Sequence, residues 1–171
     1  MARRKKEKLP CSVARTLALV GERWSLLILR NVFYGIRRFE PLRASLGISR
    51  KVLSQRLATL AAGGVIERRG YQDRPPRHEY RLTPAGVDLF PVMMALAHWG
   101  DRWRASADGA PVEFVHARCG LAARAQLVCP HCREPLAAHN VRLRRGPGLP
   151  EAMALEFERA AARPVFLPPP G

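Results

Sequence analysis

Between residues 36 and 82 the apolar side chains recur with two different periods. Phe39, Leu42 and Leu46 stand at i, i+3 and i+7, and Leu53, Leu57 and Leu60 at i, i+4 and i+7. Each set lies on one face of an α-helix. Gly47 separates them, at a position where a left-handed helix stop is expected. Ser49 follows as a cap whose side-chain oxygen accepts a bond from an orphan N–H. Ile48 and Leu53 flank that cap at hydrophobic-staple spacing, and Gly63-Gly64 closes the second helix. The pattern then changes. Val65 and Ile66 on one side, and Tyr80 and Leu82 on the other, bracket the loop Gln72-Asp73-Arg74-Pro75-Pro76-Arg77. Neither proline can donate to a β-ladder, so the pair belongs in a turn between two strands. Two helices joined by a tight turn and followed by a hairpin predict a helix-turn-helix with a wing.

The second helix has a polar outer face. With 3.6 residues per turn, Lys51, Gln55 and Thr59 point away from the leucine face, and Arg50 and Ser54 lie on its flank. Such side chains donate to guanine O6 and N7 or pair with adenine in a major groove. The candidate DNA contacts are therefore Ser49, Arg50, Lys51, Ser54 and Gln55. Arg38 ahead of the first helix and Arg74 and Arg77 in the wing loop complete the set, with Arg68 and Arg69 adding charge at the wing's base. A basic hairpin alone is a solvated face. Placed directly after the two helices, it is expected to lie on DNA.

The rest of the chain frames this motif. Residues 11 to 34 are mostly apolar and read as helical, with Leu17, Val20, Trp24, Leu27, Ile28 and Val32 as core. Thr83-Pro84 is an N-cap followed by proline at the first helical position, and Pro91 predicts a kink or a restart. Beyond it Val92, Leu96, Trp99 and Trp103 fall at i, i+4, i+7 and i+11. That single stripe is the expected dimer interface, because two-fold operators reward two-fold proteins. The reading divides the chain into a basic arm at 1–10, a DNA-binding and dimerisation domain at 11–104, a linker at 105–111, a small Cys/His unit at 112–143 and a tail at 144–171. Within the tail, residues 151 to 163 have the composition of one helix. The fold class is mainly α with a small β-hairpin, a winged helix-turn-helix plus a small C-terminal knuckle unit.

Composition narrows the partners. The chain has 171 residues, 47% hydrophobic and 25% charged, with a formal net charge of +15. That length supports one good core and an appendage, and the charge favours a polyanion. Residues 36 to 82 carry eleven arginines and lysines against four carboxylates, so the excess sits on the motif. No basic amphipathic helix has an apolar face suited to membrane insertion. No apolar run spans a bilayer, and the basic N-terminus lacks a signal-type hydrophobic core. A cytoplasmic, membrane-free protein is expected, in which four cysteines do not form a disulfide scaffold.

The run from Cys11 through Arg69, the wing segment Pro75 to Gly86 and the helix ending Ala97-His98-Trp99-Gly100 resemble the HxlR-type winged-helix regulators, relatives of the MarR group. The resemblance covers roughly the first 104 residues and rests on the combination of Cys11, Arg23-Trp24, Arg38-Phe39, Ile48-Ser49, Leu53, Arg56-Leu57 and Pro76 with Tyr80-Arg81-Leu82-Thr83. It implies a homodimeric bacterial transcription factor that binds double-stranded DNA, with the terminal helices forming the dimer. It also implies a small-molecule or oxidant effector in some members, and a sensing role for Cys11. A helix N-terminus and nearby cations favour a thiolate there, while a buried packing cysteine is the alternative. The angle of Arg56 turns it toward the flank of the buried face, where an internal salt bridge suits it better than DNA.

A second constellation lies outside that resemblance. His116-x2-Cys119 and Cys129-x2-Cys132 are separated by nine residues. One imidazole and three thiolates form a closed tetrahedral set for structural Zn2+, which would staple a unit too small for its own core. Gly120 suits the tight turn after the first pair. Arg133 stands where glycine is more usual, and His131 is an alternative ligand to His116. The same Cys129/Cys132 pair suggests a thiol–disulfide oxidoreductase, but Pro135 follows at once and no βαβ context surrounds it, so no enzyme is expected. A non-specific nucleic-acid-binding or architectural protein is the other alternative. The aromatic platform such a protein needs for single strands is missing, since aromatics are 7% of the chain and fall mainly in the expected core.

Overall fold

Both periodicities become the elements they predict. The computed structural model describes residues 10–162. Residues 1–9, all but the last residue of the basic arm read at 1–10, and the residues from Arg163 onward lie outside them. Within that span α1 is Ser12–Val20, α2 Arg23–Phe33, α3 Phe39–Leu46 and α4 Arg50–Ala62. Then β1 (Ile66–Gln72) pairs antiparallel with β2 (Arg77–Leu82), followed by α5 (Pro84–Val87) and α6 (Phe90–Trp103). After residue 125 a single 3-10 turn, Glu151–Met153, leads into α7, Ala154–Ala161.

The helical stretch expected at 11 to 34 is broken. Gly21 accepts no side chain there, because a Cβ on it would stand 2.5 Å from the Leu17 carbonyl oxygen. Glu22 then starts α2, its carboxylate accepting the Trp24 N–H at 3.0 Å. Of the expected core residues Val20, Ile28 and Val32 are buried, and Trp24 and Leu27 are half-buried. Leu17 is exposed, because Leu19 and Val20 occupy the inward face of the short α1.

One apolar cluster holds residues 12–125 together. Ile28, Leu29, Leu42, Leu53, Leu57, Leu60 and Ile66 are all at most 2% exposed. They bring α2, α3, α4 and the start of β1 onto one centre. Truncating such a side chain costs roughly 2–5 kcal/mol, so this cluster fixes the angle at which α4 is presented. The wing joins it through Thr83, whose hydroxyl donates to the Gly64 carbonyl at 2.5 Å and accepts the Gly86 N–H at 3.2 Å. Pro91 falls in the first turn of α6, so the helix restarts there instead of kinking.

The chain divides into two compact units, with the first ending at Ala125 and the second holding residues from Gln126 onward. The first therefore runs past the linker that composition suggested at 105–111. Phe114 explains the extension, because its ring meets Phe90 edge-on at 6.3 Å and His98 at 5.7 Å. The Ala125 N–H also donates to His98 Nδ1 at 3.1 Å. In the second unit an Asn140 side chain closes a turn, accepting from the Ala137 N–H and donating to the Pro135 carbonyl. An Arg145–Glu151 ion pair precedes α7.

Candidate nucleic-acid interface

Ser49 and Gly47 build the reading edge. Gly47 takes φ +63°, the left-handed stop that its lack of a Cβ permits. Its N–H donates back to the Arg43 and Ala44 carbonyls. Ser49 leaves the turn extended and its hydroxyl accepts the Val52 N–H at 3.3 Å, starting α4. Ile48 and Leu53, the expected staple, are both buried. With Leu53, Leu57 and Leu60 inward, Ser49, Arg50, Lys51, Ser54 and Gln55 are all exposed. Five of the eight expected contact residues thus share one solvent-facing ridge over the first turns of a single helix.

The charge on that ridge is unequal. Arg50 Nη2 lies 2.5 Å from Glu40 Oε1, and Arg43 Nε lies 2.9 Å from Glu40 Oε2. One carboxylate from α3 therefore partly neutralises two arginines. Among the described residues Lys51 forms no ion pair. This neutralisation escapes a reading of the sequence, because nine residues, a turn among them, separate Glu40 from Arg50. Arg56 behaves as its angle suggested. Its Nε is buried and lies 3.6 Å from Glu22 Oε2. That distance is too long for a hydrogen bond, so the attraction is Coulombic.

The wing presents a second basic surface. In its register Arg68 faces Tyr80 and Arg69 faces Glu79, with a bulge between Gly70 and Gln72 before the tip. The tip turn contains Pro75 and Pro76, as their missing donors require. Gln72 Nε2 donates to the Arg74 carbonyl at 2.9 Å and fastens the tip. Arg74 and Arg77 are exposed and, among the described residues, unpaired. Arg81 is drawn instead to Glu79 at 2.6 Å, and Arg68 to His78 Nδ1 at 3.0 Å. Arg38 stacks its guanidinium 4.5 Å above the Tyr71 ring, and its backbone bridges Glu79. The Tyr80 N–H donates to the Arg37 carbonyl at 2.8 Å. Residues 37 and 38 thus form an isolated antiparallel bridge beside β2, a feature that no periodicity in the sequence announces.

The remaining candidates lie elsewhere. Val92, Leu96, Trp99 and Trp103 are 49%, 48%, 56% and 57% exposed along one face of α6. Val13 and Leu17 leave a similar face on α1. Cys11 is exposed immediately before α1.

The four zinc candidates fall into two pairs, one in each unit. His116 Nδ1 lies 3.2 Å from Cys119 Sγ. In that turn the Gly120 N–H donates to the His116 carbonyl, the His116 N–H to the Leu121 carbonyl, and Gly120 has φ +71°. Cys129 and Cys132 repeat the device: the Arg133 N–H donates to the Cys129 carbonyl, the Cys129 N–H to the Glu134 carbonyl, and Arg133 has φ +64°. The backbone N–H groups of Cys132 and His131 hold the Cys129 thiol below its ordinary pKa, and the Cys132 side chain adds to this. Among the described residues no cluster of three or more His, Cys, Asp or Glu side chains is gathered closely enough to hold an ion. Among the described residues no helix is long and apolar enough to cross a membrane.

Residues 19–108 match the model of the HxlR-like helix-turn-helix family. An uncharacterized HTH-type transcriptional regulator of Mycobacterium tuberculosis is 48% identical over 143 residues, covering 84% of this chain and 90% of that protein. Among solved structures, PA1607, described as a candidate transcription factor, superposes with a TM-score of 0.72 at 35% identity, covering 80% of this chain and 95% of that one. The redox regulator HypR in its oxidized form gives a TM-score of 0.52 at 31% identity, covering 56% of this chain and all of the other.

Proposed function

The chain belongs to the HxlR-like helix-turn-helix family, and from that premise we propose that it is a transcriptional regulator that binds a pseudo-palindromic DNA operator as a homodimer. The single observation that carries the reading is the exposed ridge Arg50, Lys51, Ser54 and Gln55, held outward by three fully buried leucines on the opposite face of α4. A helix edge of this kind fits the major groove, with Lys51 and Gln55 reading bases and Ser49 and Arg50 positioned near phosphate. Arg74 and Arg77 at the wing tip, with Arg38 at its base, serve the flanking backbone or minor groove.

Fluorescence anisotropy on a selected operator and on scrambled duplexes separates these roles. Lys51→Ala or Gln55→Ala is expected to reduce the preference for the operator, at about 1–3 kcal/mol for a lost base contact. Arg74→Ala with Arg77→Ala is expected to weaken binding to every sequence and to flatten its salt dependence. Equal loss on all sequences from Lys51→Ala defeats the base-reading assignment.

Two finer assignments accompany this reading. The exposed stripes on α1 and α6 support a dimer built from the first and last helices of the domain. The twin backbone turns support the zinc assignment: His116, Cys119, Cys129 and Cys132 are the donors a structural Zn2+ takes, and Arg133 accepts a left-handed conformation at the position where Gly120 stands in the other turn. Bound zinc would supply cross-linking and no chemistry. Metal analysis of the purified chain is expected to give one zinc per chain, lost in Cys129→Ser; a metal-free, equally stable chain rejects it. The likeness to HypR and the exposure of Cys11 support thiol responsiveness. DNA affinity unaltered by peroxide in the wild type, or altered equally in Cys11→Ser, removes that role.

A further inference from the structure

The unit formed by residues 12–125 contains a half-open cavity of about 530 Å3 between α2, α6 and the segment 112–115. That size lies within the roughly 300–1,000 Å3 of small-molecule sites. Its walls are almost wholly apolar, with Phe33, Phe90 and Phe114 forming an aromatic side and Met93 a pliable one. Phe33 and Phe90 pack against each other at 5.4 Å with their rings tilted by 52°, which makes one continuous aromatic wall. The cavity is distinct from the stripe on α6. At 3.6 residues per turn Met93 and Ala97 lie about a third of a turn away from Val92, Trp99 and Trp103. Leu96 alone borders both.

The polar groups of the wall are few, and one has an unusual partner. Arg30 lines the cavity, and both its Nε and its Nη2 donate to a neutral acceptor, Asn31 Oδ1, at 3.0 and 2.9 Å. Among the described residues Arg30 pairs with no carboxylate, and Glu113 at the rim is not within ion-pair distance of it. A planar guanidinium beside an apolar cavity prefers a bidentate carboxylate to an amide oxygen. Asn31 is 2% exposed and its Nδ2 donates at 2.6 Å to Ser45 Oγ on α3, which in turn donates to the Leu42 carbonyl. The arginine in the cavity is thus hydrogen-bonded to the residue that ties α2 to the first helix of the reading motif.

We propose that this cavity is an effector site for a small aromatic carboxylate, whose ring lies against the phenylalanine wall and whose carboxylate takes Arg30 from Asn31. With Arg30 withdrawn, the buried Asn31 Oδ1 loses its charged donor and its amide must turn to find another. The bond to Ser45 is then given up, and α3, with α4 behind it, loses a fixed point on α2. The ligand therefore favours a looser arrangement of the reading helices and lowers DNA affinity. The binding half of this proposal is independent of the DNA-binding reading; the coupling half rests on it.

The probes are 2-naphthoate and its neutral amide, 2-naphthamide, titrated into the full chain without DNA by calorimetry. Naphthoate is expected to bind at one site per chain about tenfold more tightly than the amide, the margin of a charge-assisted pair. Arg30→Gln should erase that margin while both probes still bind weakly. Ala97→Trp should block both probes while sedimentation shows the same oligomer. In anisotropy on the selected operator, naphthoate should weaken wild-type binding several-fold but leave Ser45→Ala unaffected although the probe still binds. Equal affinity for the two probes in the wild type, or no saturable binding of either, overturns the site. So does dissociation of the oligomer by Ala97→Trp, which would make the cavity a seat for a second copy of the chain. Naphthoate binding with unchanged operator affinity overturns the coupling alone, and a chain that ignores DNA but prefers naphthoate keeps the site while ending the regulator reading.

Discussion

Glu40 decides how much of the arginine charge beside α4 reaches outward. It holds Arg50 and Arg43 at once, and all three side chains are substantially exposed. Exposed pairs of this kind contribute little to stability, so Glu40→Gln should fold normally. It should bind DNA more tightly on every sequence, and the slope of log K against log salt should steepen by about one as Arg50 gains a phosphate. An unchanged slope across a salt series would show that Arg50 does not reach the backbone. At this scale the sequence was most legible where the physics is local. Gly47, Ser49 and the buried Leu53 declare themselves because a stop, a cap and a staple involve neighbours within a turn. Glu22 as the cap of α2, and the Arg30–Asn31–Ser45 chain, were not legible, since their meaning depends on which helix packs opposite. Arg56 lay between these cases: its angle excluded the groove, but only the fold supplies Glu22 as its partner.

The helices and the hairpin were legible as elements, while their ends and attachments were less so. Residues 11 to 34 satisfied a helical pattern throughout, and the pattern carries no sign of the Leu17 carbonyl that crowds Gly21. The linker composition at 105–111 hid the anchoring of Phe114 on α6. Thr83 shows what attachment contributes. Its hydroxyl joins the end of the wing to Gly64 and caps α5, so Thr83→Val should lower stability by about 1–2 kcal/mol in urea unfolding. Thr83→Ser, which keeps the hydroxyl, should recover most of it. If the valine variant proves as stable as the parent, the wing is held by its apolar base alone.

For the molecule as a whole, net charge and motif order named the partner class before any coordinates. The association state depends on surfaces that one chain leaves bare. Four large apolar side chains on α6, each about half exposed, line one face of the helix, and an exposed apolar stripe of this kind marks an interaction surface. For the dimer proposed above, Leu96→Asp with Trp99→Asp should leave a folded monomer in sedimentation velocity. Operator affinity should drop by more than tenfold, because one half-site then binds alone. A double variant that remains dimeric would place the interface elsewhere.

The pairing of Arg37 and Arg38 with Tyr80 and Glu79 makes the protein a calliper with a locked jaw. Swinging the hairpin would part it from the chain that enters α3, which favours one gap between its tip and the α4 ridge. One base pair added to the operator between the stretch under the ridge and the stretch under the tip displaces them by about 3.4 Å and also turns one about the duplex axis. Wild-type protein should then bind no better than Arg74→Ala/Arg77→Ala, and that variant should be indifferent to the insertion. Tolerance of the longer operator by the wild type would mean that the jaw slides.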